Sequence, residues 1–172
     1  MIGSSGASER TSSMASRLES FEQIVRRAHR FTEASSEPES TVHPFEARNV
    51  HPDLPAEVRR LFDNGHYAQA TLEALKFLDE EVQRVAKSSD FGVSLMMRVF
   101  GGTPPPLALN PGMTVSEKNE QEGFKFLFAG AMQGIRNPRG HSTGIRDDPD
   151  VCLDHVGFAS MLLRRLDDAG HR

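Results

Sequence analysis

The sequence lacks several features that would narrow its class at once. Tryptophan is absent, tyrosine occurs once, and phenylalanine carries nearly all of the aromatic content. The single cysteine, Cys152, excludes an intrachain disulfide. Apolar runs are short and interrupted by charged residues, so the sequence shows neither a signal peptide nor a membrane span. We therefore expect a cytoplasmic protein that does not contact membranes.

An excess of positive charge is also missing. Lysine and arginine number 20 against 24 aspartates and glutamates, which gives a net charge of −4 and a pI of about 6.0. A protein that holds nucleic acid by bulk charge is basic, so any contact with RNA or DNA must be local. The hydrophobic fraction of 37% is ordinary for a globular protein, and 172 residues allow one domain with a core, with or without a tail.

Composition divides the chain into four parts. Residues 1–15 are rich in Ser, Gly, Ala and Thr and have little to bury, so they are predicted to be a disordered tail. Ser16-Arg17-Leu18-Glu19 is a capping box followed by apolar residues at helical spacing, which predicts an N-terminal helix over residues 16–34. Residues 35–44 are a linker of Ser, Glu, Pro and Thr, and the main domain spans residues 45–172.

The main domain is predicted to be all-α, with four or five helices. Helical spacing of apolar residues and the signals at helix ends predict helices over residues 55–64, 66–86, 93–100 and 119–136, and a last helix capped by Asp148 with Pro149 at its first position. Residues 101–114 are rich in glycine and proline and are predicted to form a long loop, with a short strand at residues 107–109.

The helix over residues 119–136 carries the most regular pattern in the sequence. Apolar side chains recur at steps of three and one from Phe124 to Ile135, which fits one face of an α-helix. Three glycines each weaken this helix by about 1 kcal/mol relative to alanine and would allow another helix to approach closely. They are Gly123, Gly130 and Gly134.

The motif that follows is Arg136-Asn137-Pro138-Arg139-Gly140-His141. Pro138 removes a backbone donor and disfavours helical backbone at Asn137, so the helix is predicted to end at Arg136, which would free His141 to fold back. An arginine, an amide and a histidine could then converge on one phosphate. These groups suffice for metal-free RNA cleavage. Arg139 and Arg146 belong to the same local basic patch, and we interpret them as substrate-binding residues.

The same stretch resembles known families. An arginine, four variable residues and a histidine at the end of a core helix in a small all-α domain resemble the HEPN superfamily. The Arg-Asn-Pro-x-x-His signature is similar, more narrowly, to that of the Ymh family. Two further segments support this resemblance, which covers roughly residues 45–168: Asn64-Gly65-His66-Tyr67 and Leu163-Arg164-Arg165-Leu166-Asp167.

The resemblance implies a HEPN-like helical bundle, preceded here by the extra N-terminal helix, and a homodimer whose two motifs build one composite RNA-cleaving site. It implies that Arg136 and His141 are the catalytic pair and Asn137 the polar helper, with no metal and no other cofactor. Such domains serve in toxin–antitoxin or antiphage defence, which implies RNA and an antitoxin or defence protein as partners. Some superfamily members have lost cleavage, so a non-catalytic module that binds RNA, a nucleotide or a partner protein is the alternative.

Structural explanations compete with these roles. Asn137-Pro138-Arg139-Gly140 is a good turn sequence, in which Arg136 would pair with Asp147 or Asp148. Acids at the start of the last helix are expected from capping and from the helix dipole rather than from a metal site. Three other reactive side chains are interpreted as structural: His66 as a local helix cap, His155 as a core or interface residue, and Cys152 as a small buried residue.

Overall fold

The computed structural model describes Glu22, Val25, residues 42–142 and residues 144–172. The predicted disordered tail lies outside these residues, as do most of the linker and all of the N-terminal helix except Glu22 and Val25, which are helical. His43–Arg172 form one compact unit, distinct from Met1–Val42, and this larger unit carries the motif. No helix in the described part of the chain is both long enough and apolar enough to cross a membrane.

Helices build the larger unit, and its described residues contain no strand. In chain order they are α1 (Pro44–Ala47), α2 (Ala56–Asp63), α3 (Tyr67–Ala86), α4 (Gly92–Val99), α5 (Val115–Gly130), a π-helical segment (Ala131–Arg136), α6 (Asn137–His141) and α7 (Pro149–Asp168). The all-α prediction is confirmed, and the bounds of α2, α3, α4 and α7 agree closely with the sequence pattern.

Helix α3 lies at the centre of the unit because it packs against α2, α4, α7 and the π-helical segment. Its buried face repeats every three or four residues through Leu75, Leu78 and Val82, as an amphipathic helix requires. Val156 and Leu163 of α7 are likewise fully buried. The two longest helices therefore share the core, and α7 follows the motif in the chain.

Helix α5 begins four residues before the predicted start at Asn119. Thr114 and Glu117 form a reciprocal capping box: Thr114 Oγ1 accepts the Glu117 N–H at 3.1 Å, and Glu117 Oε2 accepts the Thr114 N–H at 2.8 Å. These two bonds satisfy backbone donors that the first turn leaves open. The sequence interpretation placed the start too late because it relied on apolar spacing, which begins only after this polar first turn.

The predicted end of this helix at Arg136 is wrong, because the chain stays helical through Pro138 to His141. Asn137 has helical backbone angles, with φ −62° and ψ −45°. In an α-helix the ring of a proline collides with the carbonyl four residues before it. The wider turns of the π-helical segment change the hydrogen-bonding register just before Pro138. Pro138 then falls in the first turn of α6, where a missing N–H costs little.

One face of α5 and the π-helical segment is open. A Cβ atom built at Gly123, Gly130 or Gly134 would have no atom within 4 Å, so within the described chain no other helix uses these glycines for close approach. Phe126 and Leu127 on the same helix are exposed, although the apolar pattern placed Leu127 on the buried face. Phe128 and Met132 are fully buried as the pattern predicts.

Several side chains bind the loop between α4 and α5, and Gln121 makes three of their hydrogen bonds. Its Nε2 donates to the carbonyls of Phe100 at 2.9 Å and Leu107 at 3.2 Å, and its Oε1 accepts the Leu109 N–H at 2.7 Å. Leu107 and Leu109 are buried. The strand predicted at residues 107–109 is therefore wrong: its backbone groups bond to the Val99 carbonyl and to the side chains of Gln121, Arg165 and His171 instead of a neighbouring strand.

We predict that Gln121→Met loosens this loop and lowers the free energy of unfolding by about 2–3 kcal/mol, because each of the three lost bonds contributes about 1 kcal/mol. Urea denaturation measures the loss, and hydrogen exchange at the Leu109 amide reports whether it is local. Gln133→Met is the matched control, since Gln133 is exposed. Similar stabilities of the two variants would show that Gln121 does not hold the loop.

Candidate active site

A cavity of about 720 Å³ opens between the first turn of α3 and the segment that leads from α6 to α7. Residues 65–69 and Leu72 line one wall, and residues 139–142 and 145–147 line the other. The walls are close together at one point, where a Cβ on Gly140 would lie 3.9 Å from Leu72 Cδ1. Cavities of about 300–1,000 Å³ are typical of small-ligand sites.

Arg139 and Asp147 form a buried ion pair in the wall of this cavity. Arg139 donates from Nε to Asp147 Oδ2 at 2.7 Å and from Nη2 to Oδ1 at 2.6 Å, while its Nη1 donates to the Ile135 carbonyl at 2.9 Å. The two side chains are only 9% and 4% exposed. The guanidinium that pairs with Asp147 is thus that of Arg139 and not of Arg136. These internal contacts give Arg139 an anchoring role in the cavity wall, and its substrate-binding role stays a prediction.

The Arg139–Asp147 pair also sets the charge state of its neighbours. Burial disfavours the charged form of Asp147, but the hydrogen bonds and charge of Arg139 outweigh burial and hold the pKa of this carboxyl below its ordinary value. His155 Nδ1 lies 4.0 Å from Asp147 Oδ2. Burial, followed by the charge of Arg139, lowers the pKa of His155 against the opposing charges of Asp147 and Asp154. His155 is therefore neutral near pH 7.

His141, Arg146 and His66 line the cavity and remain free. All three are exposed, and within the described part of the chain none of their side chains makes a hydrogen bond or an ion pair. His66 occupies the cap position of α3, yet its side chain accepts no hydrogen bond from the first turn. The interpretation of His66 as a local helix cap is therefore wrong.

The first turn of α3 faces the cavity through Tyr67, Ala68 and Gln69. The first N–H groups of a helix have no carbonyl partner within the helix. Here no side chain caps them, and the turn contains no acidic residue. The partial positive charge of this helix end thus remains available to an anionic group in the cavity.

Arg136 and Asn137 lie elsewhere. Among the residues that the structure describes, neither lines the cavity, and Arg136 Nη1 donates to Asn137 Oδ1 at 3.0 Å. The charge of Arg136 acts on Asp79 of α3, whose carboxylate accepts the Gly92 N–H at 2.8 Å. Burial raises the pKa of Asp79, and the Gly92 hydrogen bond and Arg136 offset only part of this rise.

The structure therefore brings together three of the five predicted site residues, namely Arg139, His141 and Arg146. It does not bring Arg136 next to His141 in one protomer. Five residues turn an α-helix by roughly 500°, so side chains at these two positions point in different directions as long as the helix continues. The fold-back of His141 that the sequence suggested required the helix to end at Arg136.

A metal centre has no support from the described residues, since no three His, Cys, Asp or Glu side chains among them are grouped as ligands. The acids near the start of α7 have other partners. Asp148 Oδ1 accepts the Val151 N–H at 2.8 Å, as predicted for a cap, and Asp154 pairs with Arg48. Cys152 is buried, and burial raises the pKa of its thiol.

Comparison with protein families adds one finding. The family model described as "Protein of unknown function (Hypoth_ymh)" matches residues 48–166, a span that contains both walls of the cavity and the whole motif. The chain belongs to the Hypoth_ymh family. No curated protein and no solved structure matches it significantly. Membership of Hypoth_ymh confirms the narrower of the two resemblances seen in the Arg-Asn-Pro-x-x-His signature, and HEPN membership stays a prediction.

Two features of the Hypoth_ymh cavity escaped the sequence interpretation. The first is the pairing of Arg139 with Asp147, which no periodic pattern encodes because both residues lie near helix ends. The second is the exposure of His66 to the cavity. A signal for it was present: the residues before α3 are Asn64-Gly65-His66, and its first turn lacks the acidic residues that commonly stabilise a helix start.

We predict that Asp147→Asn strongly destabilises the protein, because it leaves the Arg139 guanidinium buried without a counter-charge. Removal of one partner from a buried pair costs about 3–5 kcal/mol. Urea denaturation at pH 7 followed by circular dichroism measures the change. Asp150→Asn, at an exposed acid in the first turn of α7, is the matched control and should have little effect on stability.

The same comparison has a pH dependence of known sign. Because the pKa of Asp147 is lowered in the folded protein, its ionised form contributes stability above the ordinary aspartate pKa of about 3.9. That contribution is lost as the pH falls through the lowered value. The difference between wild type and Asp147→Asn should be complete at neutral pH and shrink in acid. Equal unfolding midpoints at pH 7 would contradict the proposed anchoring role.

Proposed function

We propose that this protein is a metal-independent endoribonuclease of the HEPN type. The observation that carries the proposal is a single cavity in which His141 and Arg146 are both exposed and unpaired beside the uncapped start of α3. Its volume of about 720 Å³ is large enough for a nucleotide. Among the described residues that line it, the one carboxylate is that of Asp147, and Arg139 neutralises it, so these residues present no uncompensated negative charge to a phosphate.

The proposed reaction is an internal transesterification of RNA. The ribose 2′-oxygen attacks the adjacent phosphorus, the bond from phosphorus to the 5′-oxygen breaks, and the products end in a 2′,3′-cyclic phosphate and a 5′-hydroxyl. His141 is the last residue of α6, and its side chain is exposed and unpaired in the cavity. We therefore assign His141 to protonating the leaving 5′-oxygen, while Arg146 binds the non-bridging oxygens.

Arg136 and Asn137 enter the proposal through the family resemblance. Arg136 is half-buried and has no carboxylate within salt-bridge distance among the described residues, so its charge is not consumed by an ion pair. Because it does not line the cavity of its own protomer, we propose that it acts in a composite site. In this arrangement, two protomers place their motifs side by side, and Arg136 and Asn137 of one complement His141 of the other.

The open face of α5 supports a homodimer as the means of bringing the motifs together. Phe126 is 56% exposed and Leu127 is 41% exposed, and Gly123, Gly130 and Gly134 border them without any contact. Gly134 lies directly before Ile135 and Arg136, so this face of the helix reaches the motif. An isologous contact uses the same patch on both copies, so pairing of this face would bring both motifs to one symmetry axis.

We predict that Phe126→Glu weakens the dimer at least about tenfold, since it introduces a charge into a contact that buries apolar surface. Sedimentation equilibrium measures the dissociation constant. Phe91→Glu is the matched control, because Phe91 is also an exposed phenylalanine but lies at the start of α4. A wild type that stays monomeric, or two variants with the same dissociation constant, would exclude this face.

The biological setting follows from the resemblance alone. HEPN-like domains with this motif serve in toxin–antitoxin or antiphage systems, so we propose an RNA substrate and an antitoxin or defence-system protein as partners. A non-catalytic module that binds RNA, a nucleotide or a protein is the second candidate. The observation in its favour is electrostatic: the chain is acidic overall, and the charge of Arg139 is used internally.

We predict that, in EDTA, the wild type cleaves labelled single-stranded RNA to 2′,3′-cyclic phosphate ends. His141→Ala should lower the single-turnover rate by about 10²–10⁴-fold, and Arg136→Ala by about 10²–10³-fold. Circular dichroism establishes that each variant is folded. Arg60→Ala and His171→Ala replace residues of the same types outside the cavity and should retain full activity.

The outcomes separate the two candidate functions. Cleavage that needs a divalent cation would contradict the mechanism, and cleavage unaffected by His141→Ala would remove the site. A folded wild type that binds RNA saturably without cutting it would instead identify the non-catalytic binding module.

A further inference from the structure

The proposed reaction needs two proton transfers, and the motif contains one histidine. A proton must leave the 2′-hydroxyl as its oxygen attacks, and another must reach the 5′-oxygen as it departs. His141 performs one of these transfers. Arg139, the nearest arginine of the motif, is held by Asp147, which leaves the opposite wall of the cavity as the place in the same protomer for a second proton-transfer group.

The opposite wall presents a second histidine. His66 lines the same cavity as His141 but belongs to the start of α3 rather than to the end of α6. Gly65 precedes it with a φ of +76°, a left-handed turn that glycine adopts without strain and that directs the chain into the helix. Gly140 lies beside Leu72, so the two walls approach each other closely at this point.

No structural task accounts for the imidazole of His66. It is exposed, it caps no backbone N–H of α3, and in the described part of the chain it forms neither a hydrogen bond nor an ion pair. Other histidines of the unit are used differently: His43 Nε2 lies 2.7 Å from Asp63 Oδ1, and His51 Nε2 lies 2.7 Å from Asp167 Oδ2. His66 shares its unpaired state with His141 across one cavity.

We infer that His66 is the general base of the proposed ribonuclease, an inference that rests on the proposed function. The neutral imidazole of His66 accepts the 2′-hydroxyl proton as the 2′-oxygen forms its bond to phosphorus. The bond to the 5′-oxygen breaks, and the imidazolium of His141 donates its proton to that oxygen. The two histidines lie on opposite walls of one cavity, which suits them to opposite roles.

The inference also fixes where the two groups come from. Both proton-transfer residues belong to one protomer, on two walls of one cavity. A partner protomer then contributes only Arg136 and Asn137, which stabilise charge. The motif histidine is thus completed by a residue at the other end of the domain sequence, outside the motif.

Two substrates separate a base from an acid. One is an RNA oligonucleotide with an ordinary linkage, and the other carries a 5′-bridging sulfur, whose thiolate leaves without needing a proton. His66→Ala should lower the single-turnover rate by about 10²–10⁴-fold on both, because both need the 2′-hydroxyl deprotonated. His141→Ala should lose as much on the ordinary linkage and regain most of its activity on the bridging thiolate.

Binding and rescue distinguish a base from a merely structural residue. His66→Ala should bind an oligonucleotide with a 2′-deoxyribose at the cleavage position as tightly as wild type, and added imidazole should restore part of its cleavage. His171→Ala, at a histidine outside the cavity, is the matched control and should cleave normally.

Each result decides the inference. Three outcomes would overturn the role of His66 while leaving the proposed ribonuclease intact. His66→Ala could cleave within about threefold of the wild-type rate, or the bridging thiolate substrate could rescue it. The third outcome is weakened RNA binding that explains the loss of activity. An inert wild type would instead overturn the proposed function itself. Cleavage regained on mixing His66→Ala with His141→Ala protomers would show that the two histidines act from different protomers, which also overturns the inference.

Discussion

The ion pair between Arg139 and Asp147 is the contact on which the candidate site depends. It is bidentate and almost fully buried, so neither partner can leave without exposing a charge to a poorly solvated interior. It links Arg139 of α6 to Asp147, which precedes α7. The second wall also contacts α3 directly, through α6 and through the close approach of Gly140 to Leu72. Arg139, which the sequence suggested as a substrate-binding residue, therefore mainly holds the shape of the cavity wall.

This use of charge explains how an acidic protein can still offer a phosphate site. The arginines of the motif do not act as one basic patch: one is neutralised in the wall, one lies toward Asp79, and Arg146 remains free at the rim. The field in the cavity then comes from few sources, which are Arg146, the two histidines and the first turn of α3. A site of this kind attracts RNA weakly over long range. Its selectivity has to come from the fit of one nucleotide, or from a partner that delivers the substrate.

Sequence reasoning was sufficient where apolar spacing or a helix cap sets the bounds of a helix. The apolar spacing of α3 and α7 and the cap at Asp148 were predictable because core burial and capping act over a few residues. It failed at Pro138, because the π-helical segment before this proline lets the chain stay helical. Helix propensities do not predict such a segment. It also failed at His66, whose exposure to the cavity depends on α6 packing beside α3, and therefore on contacts between residues far apart in sequence. The membership of residues 48–166 in Hypoth_ymh was predicted from the resemblance of a few short segments of the sequence.

The central claim is that the cavity between α3 and α6 cleaves RNA through its 2′-hydroxyl without a metal. The most direct test is a pool of oligodeoxynucleotides that carry one ribonucleotide in randomised sequence contexts, incubated with the protein in EDTA, followed by analysis of the product ends. The account predicts cuts only on the 3′ side of the ribonucleotide, with 2′,3′-cyclic phosphate and 5′-hydroxyl ends. Cuts at deoxyribonucleotides, or products with 3′-hydroxyl and 5′-phosphate ends, would contradict it.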